Sequence, residues 1–99
     1  MSDLDKTIHE PARLRIMCIL SGVATADFSF LCSTLALTKG NLSSHMDKLE
    51  KAGFIEVKKS FNGKVPHTEF SMTGTGREAL DAYFKDLDDI RSLRGNPGE

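Results

Sequence analysis

Apolar residues recur at intervals of three and four along the first half of the chain, a spacing that predicts amphipathic helices. The first predicted helix begins near Pro11, whose missing N–H would have no partner in a first helical turn, and ends before Gly22. Its apolar residues wrap most of the way round the helix, and they are Leu14, Ile16, Met17, Ile19 and Leu20. We therefore expect it to be covered on several sides, partly by a second copy of the chain.

A short second helix is predicted after Asp27, whose carboxylate is suited to capping it. Phe28, Leu31 and Leu35 follow at three- and four-residue intervals, so they share one side of that helix. The pattern breaks at Leu37-Thr38. The predicted second helix is therefore short.

A third helix, residues 38–52, is predicted to begin at a Thr38 cap and to end where Gly53 supplies a left-handed turn. Its apolar stripe consists of Leu42, Met46 and Leu49, and the opposite face carries Gly40, Ser43, Ser44, Asp47 and Lys51. A glycine in the first turn weakens a helix. This helix is therefore expected to lay its thinly charged outer face against a partner.

After Gly53 the apolar residues alternate, which predicts a strand through Val57 and the lysines that follow it. Asn62-Gly63 is a strong hairpin signal, and residues 66–72 form the predicted returning strand. A last helix follows, capped by Thr73 or Thr75. Its expected apolar stripe is Leu80, Tyr83 or Phe84, Leu87 and Ile90.

These elements predict a mainly α fold with a small β-hairpin (α+β) in a single domain of residues 1–99, with a core of about residues 6–90 and a frayed tail at 94–99. A hydrophobic content of 39% and a charged content of 27% are ordinary for a globular protein. The sequence contains neither an apolar run long enough for a membrane span nor a secretion signal, so we expect a cytoplasmic protein.

Cys18 and Cys32 are each flanked by apolar residues and form no Cys-x-x-Cys pair. Buried free thiols are therefore expected rather than a disulfide or a metal pair. The sequence also lacks a glycine-rich phosphate loop, histidines at metal-binding spacing and a catalytic Ser, His and Asp set, so we expect no enzyme activity, no cofactor and no metal.

Charge is unevenly distributed, although the net charge is only −1. Residues 38–68 carry six basic and three acidic side chains, a net charge of +3, whereas segments 1–37 and 69–99 carry −1 and −3. A basic middle between acidic flanks favours a local anionic partner, although a solvated surface could show the same modest bias.

The order of elements is that of a winged helix-turn-helix. The segments "HEPARLRIMCIL" and "LALTKGNLSSHMDKLEKAGFIEVKKSFNGKVPHTEFSMTGTGREAL" resemble small winged-helix transcriptional regulators of bacteria and archaea, near the MarR and ArsR families, over about residues 6–87. The resemblance implies a DNA-binding homodimer that represses or activates transcription. It also implies that helix 38–52 lies in the major groove of double-stranded DNA and that the wing, residues 58–67, contacts the backbone or the minor groove.

Small and polar residues near the start of a helix let it approach the floor of a groove about 12 Å wide, and lysines attract phosphate. On this basis the candidate DNA-binding residues are Thr38, Lys39, Gly40, Asn41, Ser43, Ser44, His45, Lys48, Lys58, Lys59, Asn62 and Lys64. Other interpretations stay open: Asn41 as a solvated amide, His45 as a packed histidine bonded to backbone, and the wing lysines as charges that keep an edge strand soluble.

A homodimer is expected through the first and last helices. The alternative function is a winged-helix module that contacts only other proteins, because a pI near 6.3 does not demand nucleic acid. Metal sensing is disfavoured because the cysteines do not match a paired metal motif. A small-molecule effector or a redox response at Cys18 or Cys32 stays open.

Overall fold

The computed structural model describes residues 3–95, which form four helices and one three-stranded antiparallel sheet. In chain order the elements are α1 Pro11–Ser21, β1 Ala26–Asp27, α2 Phe28–Leu35, α3 Lys39–Lys51, β2 Ile55–Asn62, β3 Val65–Met72 and α4 Gly74–Arg91. The predicted fold class and the winged-helix order of elements are confirmed. The predicted frayed tail, residues 94–99, lies outside the described residues from position 96 onward.

Side chains at the start of each helix satisfy its first turn. The predicted caps of α2 and α3 are confirmed, since Asp27 and Thr38 each accept a hydrogen bond from the N–H three residues later, at 2.7 and 3.1 Å. Thr73, rather than Thr75, caps α4 in the same way at 2.9 Å. The cap of α1 was not predicted. The carboxylate of Glu10 accepts a hydrogen bond from the N–H of Arg13 at 2.8 Å. Local side chains therefore fix where the helices begin.

The sheet has the order β1-β3-β2, and β1 was not predicted. The hairpin pairs Asn62 with Val65, which leaves Gly63 and Lys64 as the two central residues of the turn. The hairpin predicted from Asn62-Gly63 is therefore confirmed. Gly63 has a φ of 67° at the first central position, where a tight hairpin favours glycine. The predicted end of α3 at Gly53 is also confirmed, because Gly53 follows the helix with a φ of 79°.

The core lies between the helices and the inner face of the sheet. Its fully buried side chains are Ile8, Ile16, Met17, Leu20, Leu31, Leu42 and Leu49. The half-buried Leu14 and Ile19 of α1 also pack against this core, so one chain covers much of the apolar ring of α1. The outer half of α4 differs, because Phe84 and Ile90 are exposed.

The cysteines depart from prediction. Both are free thiols, but Cys18 is exposed and Cys32 is only half-buried, so the expectation that both are buried is wrong. Cys18 lies on the side of α1 that the core does not cover. Although the residue is exposed, partial burial of the thiol raises its pKa. Among residues 3–95, no helix has the length and apolarity needed to cross a membrane.

Candidate nucleic-acid interface

The outer face of α3 is open to solvent. Leu42, Met46 and Leu49 turn inward and are buried, as predicted. Most of the candidate residues of this segment are exposed, and they are Thr38, Lys39, Gly40, Asn41, Ser43, Ser44 and Lys48. A Cβ atom added to Gly40 would meet nothing within 4 Å, so packing within the chain does not require glycine there. The structure thus presents a small, polar and weakly charged surface at the start of α3.

His45 lies at the border between the outer face of α3 and the core. Its Nδ1 atom is 3.2 Å from Nη1 of Arg13 and 3.7 Å from a carboxylate oxygen of Glu10. Because a guanidinium can only donate, Nδ1 accepts this hydrogen bond and neutral His45 carries its hydrogen on Nε2. The partner of His45 is therefore a side chain of α1, not the backbone carbonyl considered from sequence.

Glu10 is held as a carboxylate beside this histidine. Its burial by itself raises the pKa, but hydrogen bonds from the N–H groups of Arg13 and Ala12, the charge of His45 when that ring is protonated and the charge of Arg13 together hold the pKa of Glu10 below its usual value. Its negative charge therefore persists at neutral pH. The carboxylate caps α1 and faces the α3 histidine at the same time.

The two faces of the wing have different charges. Side chains alternate along a strand, so Lys59 shares a face with Val57 and the buried Phe70, toward the helices. Lys58 lies on the other face, directly opposite Glu69. The structure therefore separates two adjacent lysines that were assigned the same role, and only Lys59 lies on the face turned toward the helices.

A cleft connects the start of α3 with the base of the wing. This wing cleft is lined by Asp27, Phe28, Ser29, Lys39, Pro66, His67 and Thr68. Thr68 pairs with Lys59 across the hairpin, so that lysine lies on the same sheet face beside the cleft. The first turn of α3 and the inner face of the wing are therefore adjacent.

The tip of the wing is less polar than the sequence analysis assumed. Asn62 and Lys64 are exposed there, but Phe61 and Val65 are also exposed, by 74% and 64%. The alternation along β2 could have predicted the position of Phe61, because Phe61 lies on the same face as Val57 and Lys59. It is exposed because it extends beyond the body of the protein. The tip therefore combines one cation with two apolar side chains.

A second cleft, at the other end of α3, was missed by the sequence analysis. This N-terminal cleft is lined by Lys6, Thr7, Arg13, Lys48, Lys51 and Ala52. Only Lys48 was a candidate. Lys6 and Arg13 come from the start of the chain, far from the basic segment in sequence, so no local pattern connects them with α3. Basic side chains therefore lie at both ends of the third helix.

The acidic last helix begins beside the end of α3, where Thr73 bonds to the carbonyl of Gly53, and it packs along α1. The hydroxyl of Tyr83 and Nδ1 of His9 are 2.9 Å apart, which joins α4 to the segment before α1. Two of its acids form exposed ion pairs within the helix, Asp88 with Arg91 and Asp89 with Lys85. No α4 residue lines either of the two clefts beside α3.

Among residues 3–95, no group of three or more His, Cys, Asp or Glu side chains is arranged to hold a metal ion. His67 and Glu69 form a pair of potential ligands, with Nε2 and Oε1 3.1 Å apart. Two ligands of this kind make an ion pair when the histidine is protonated. They do not form a metal centre.

Residues 12–90 match a family model described as a winged helix DNA-binding domain. An uncharacterised protein of Methanocaldococcus jannaschii, MJ0432, is 37% identical over 83 residues, which cover 83% of this chain and 89% of that protein. A transcriptional regulator homologue from Pyrococcus horikoshii has a similar structure, with a TM-score of 0.81 and 31% identity, covering 87% of this chain and 85% of that one. A putative MarR-family regulator from Enterococcus faecalis shares the fold, with a TM-score of 0.73 and 24% identity, covering 88% and 78%.

Proposed function

Because this chain belongs to the family of winged helix DNA-binding domains, we propose that it is a transcriptional regulator that binds double-stranded DNA as a homodimer. In this proposal α3 enters the major groove and the wing reaches the adjacent backbone or minor groove. Residues 1–99 act as a single domain. Membership of this family also confirms the prediction that the chain is not an enzyme.

The observation that carries the proposal is the wing cleft beside the exposed face of α3. Thr38 caps the helix, so its first N–H groups direct a partial positive charge outward, and Lys39 adds a full charge at the same point. The wing begins across the cleft from Lys39. A duplex lying on α3 would therefore meet the wing without any rearrangement of the chain.

Within the wing, the proposal favours Lys59 and Lys64 over Lys58 as phosphate contacts. Lys59 lies on the face turned toward the helices, and Lys64 is at the exposed turn. Lys58 faces Glu69, whose negative charge offsets its attraction for phosphate. Lys58 and Lys59 thus form a matched pair of adjacent lysines on opposite faces of one strand.

The homodimer is proposed to form through the outer half of α4. Phe84 and Ile90 of α4 and Leu93 just after it are 41%, 38% and 67% exposed, and apolar side chains in such a group favour burial against a partner. Two copies joined there would present two α3 helices to one duplex, at a spacing of about 34 Å if they occupy successive major grooves.

Fluorescence anisotropy with a labelled random duplex at low salt tests DNA binding. If each subunit contributes Lys39, Lys48, Lys59 and Lys64, the dimer neutralises about eight phosphates, and log affinity should fall against log salt with a slope of about −7 or steeper. Lys59→Gln should flatten the slope more than Lys58→Gln. Absence of binding at low salt would refute the proposal and favour a module that contacts only proteins.

Sedimentation of the full chain tests the dimer. The wild-type protein should sediment as a dimer at tens of micromolar, and Leu93→Glu should produce a monomer that binds DNA more weakly. Phe61→Glu is the matched control for sedimentation, because Phe61 is a comparably exposed apolar residue at the tip of the wing. A wild-type monomer at that concentration, or dissociation by the Phe61 variant, would contradict dimerisation through α4.

A further inference from the structure

The N-terminal cleft concentrates positive charge next to the end of α3. Lys6, Arg13, Lys48 and Lys51 all line it, and no acidic side chain does. Cations that share one cleft repel one another unless an anion lies between them, and a cleft also concentrates their field. The arrangement is therefore suited to an anionic group that the chain itself does not supply.

The chain holds this cleft in place through several contacts. The carboxylate of Asp5 accepts hydrogen bonds from the N–H groups of Thr7 and Ile8, at 2.8 and 3.1 Å, and Ile8 is fully buried. These contacts fix the turn that carries Lys6 onto the body of the protein. The cleft is therefore part of the folded domain, and its wall is not a loose terminus.

Arg13 joins that turn to α3. Its Nε donates to the carbonyl of Thr7 at 2.5 Å, and its Nη1 donates to Nδ1 of His45 at 3.2 Å. A guanidinium has five N–H donors, so Arg13 can maintain this bridge and still donate to an anion. The carboxylate of Glu10 lies beside this bridge, because it caps α1 at the N–H of Arg13 and is 3.7 Å from Nδ1 of His45, but it does not line the cleft.

The positions of the two clefts match the two sides of a major groove. Lys39 at the wing cleft and Lys51 at the N-terminal cleft are the first and last residues of α3. Twelve helical steps separate them by about 18 Å, at about 1.5 Å per residue. The major groove is about 12 Å wide, so lysines at the two ends of the helix reach the phosphates of the two strands that border it.

We propose that the N-terminal cleft binds the phosphodiester backbone of the strand on the far side of the groove from the wing. This inference rests on the proposed DNA-binding function and adds Lys6, Arg13 and Lys51 to the interface. The wing end of α3 and the N-terminal end then hold opposite strands, which fixes the tilt of α3 in the groove. Lys48 lies on the same outer face as Asn41 and Ser44. It is placed between the two ends of α3 that are proposed to contact opposite strands.

The salt dependence of DNA binding tests this proposal with the full-length protein. Lys6→Gln and Lys51→Gln, singly and together, remove exposed charges without removing a core contact. Each phosphate contact contributes about −0.9 to the slope, so the double variant should flatten the slope of a dimer by roughly 3 to 4. Lys85→Gln is the matched control on acidic α4 and should leave the slope unchanged.

Phosphate ethylation interference distinguishes direct contact with individual phosphates from general electrostatic attraction to DNA. With a duplex recovered from a random pool by the wild-type protein, ethylated phosphates on both strands should block binding. Within each half-site of the dimer, the Lys6 and Lys51 double variant should lose interference on one strand only, and the strand affected changes from one half-site to the other. If the wild-type protein binds but the double variant keeps its slope, or loses interference equally on both strands within a half-site, the cleft proposal fails alone. If the wild-type protein does not bind duplex at all, the proposed function fails with it.

Discussion

Replacing Gly40 by leucine is expected to stabilise the protein and to weaken its binding to DNA. Gly40 is the second residue of α3, its backbone is in the ordinary helical region, and a Cβ atom there would meet nothing within 4 Å. Leucine is a better helix former than glycine by about 1 kcal/mol in a helix interior, and by less in a first turn. We therefore expect the Tm to rise by roughly 2–6 °C.

The effect on DNA binding should have the opposite sign. If the first turn of α3 lies in the major groove, the added side chain occupies space between the helix and the duplex. We expect the Kd to rise by about tenfold or more, which corresponds to at least about 1.4 kcal/mol. Thermal unfolding followed by circular dichroism and anisotropy with the same duplex measure the two effects on the same samples.

Gly74 provides a matched control for this experiment. It is the first residue of α4, also follows a capping threonine, and also has open space around the position of a Cβ atom. Gly74→Leu should raise the Tm by a similar amount and leave the affinity for DNA unchanged. If Gly40→Leu binds DNA as tightly as the wild-type protein, the start of α3 does not approach the duplex and the reasoning is refuted.

Three further predictions concern local structure. Thr38→Ala removes the acceptor for the N–H of Asn41 and should lower the free energy of unfolding by about 1 kcal/mol in urea, whereas Thr38→Ser should retain most of it. Gly76→Ala would place a methyl carbon 2.1 Å from the carbonyl oxygen of Phe54, so overpacking should cost roughly 1–3 kcal/mol, and an unchanged Tm would contradict that close approach. Burial raises the pKa of the Cys18 thiol, so its alkylation by iodoacetamide, followed by site-resolved mass spectrometry, should begin at a higher pH than that of free cysteine.

Much of the fold was predictable because its determinants are local. The Thr38 cap, the stop at Gly53 and the apolar stripe of α3 all depend on residues within a few positions of one another. The strand β1 was not predictable in this way. It is only two residues long, too short for an alternating pattern, and it forms because Ala26 and Asp27 pair with residues of β3.

The residues of the candidate site also divide into those that local sequence patterns could identify and those that they could not. The exposed residues of α3 could be identified from helical periodicity, since the opposite stripe is strongly apolar. Lys6 and Arg13 could not be, because their position beside α3 depends on the bridge from Arg13 to His45, which is 32 residues away along the chain. The alternation of side chains along a strand predicts that Lys58 and Lys59 lie on opposite faces of the wing. Which of the two is better placed to contact phosphate could not be predicted, because it depends on Glu69 being the residue opposite Lys58.

Amide chemical shifts during a titration with duplex DNA test the central claim most directly. The claim is that the outer face of α3 and the inner face of the wing together bind one duplex. In a ¹⁵N-labelled sample at low salt, we predict the largest shift changes at residues 38–48 and 59–68, with little change across residues 78–91. Changes centred on α4, or no changes while the duplex is in excess, would contradict the account.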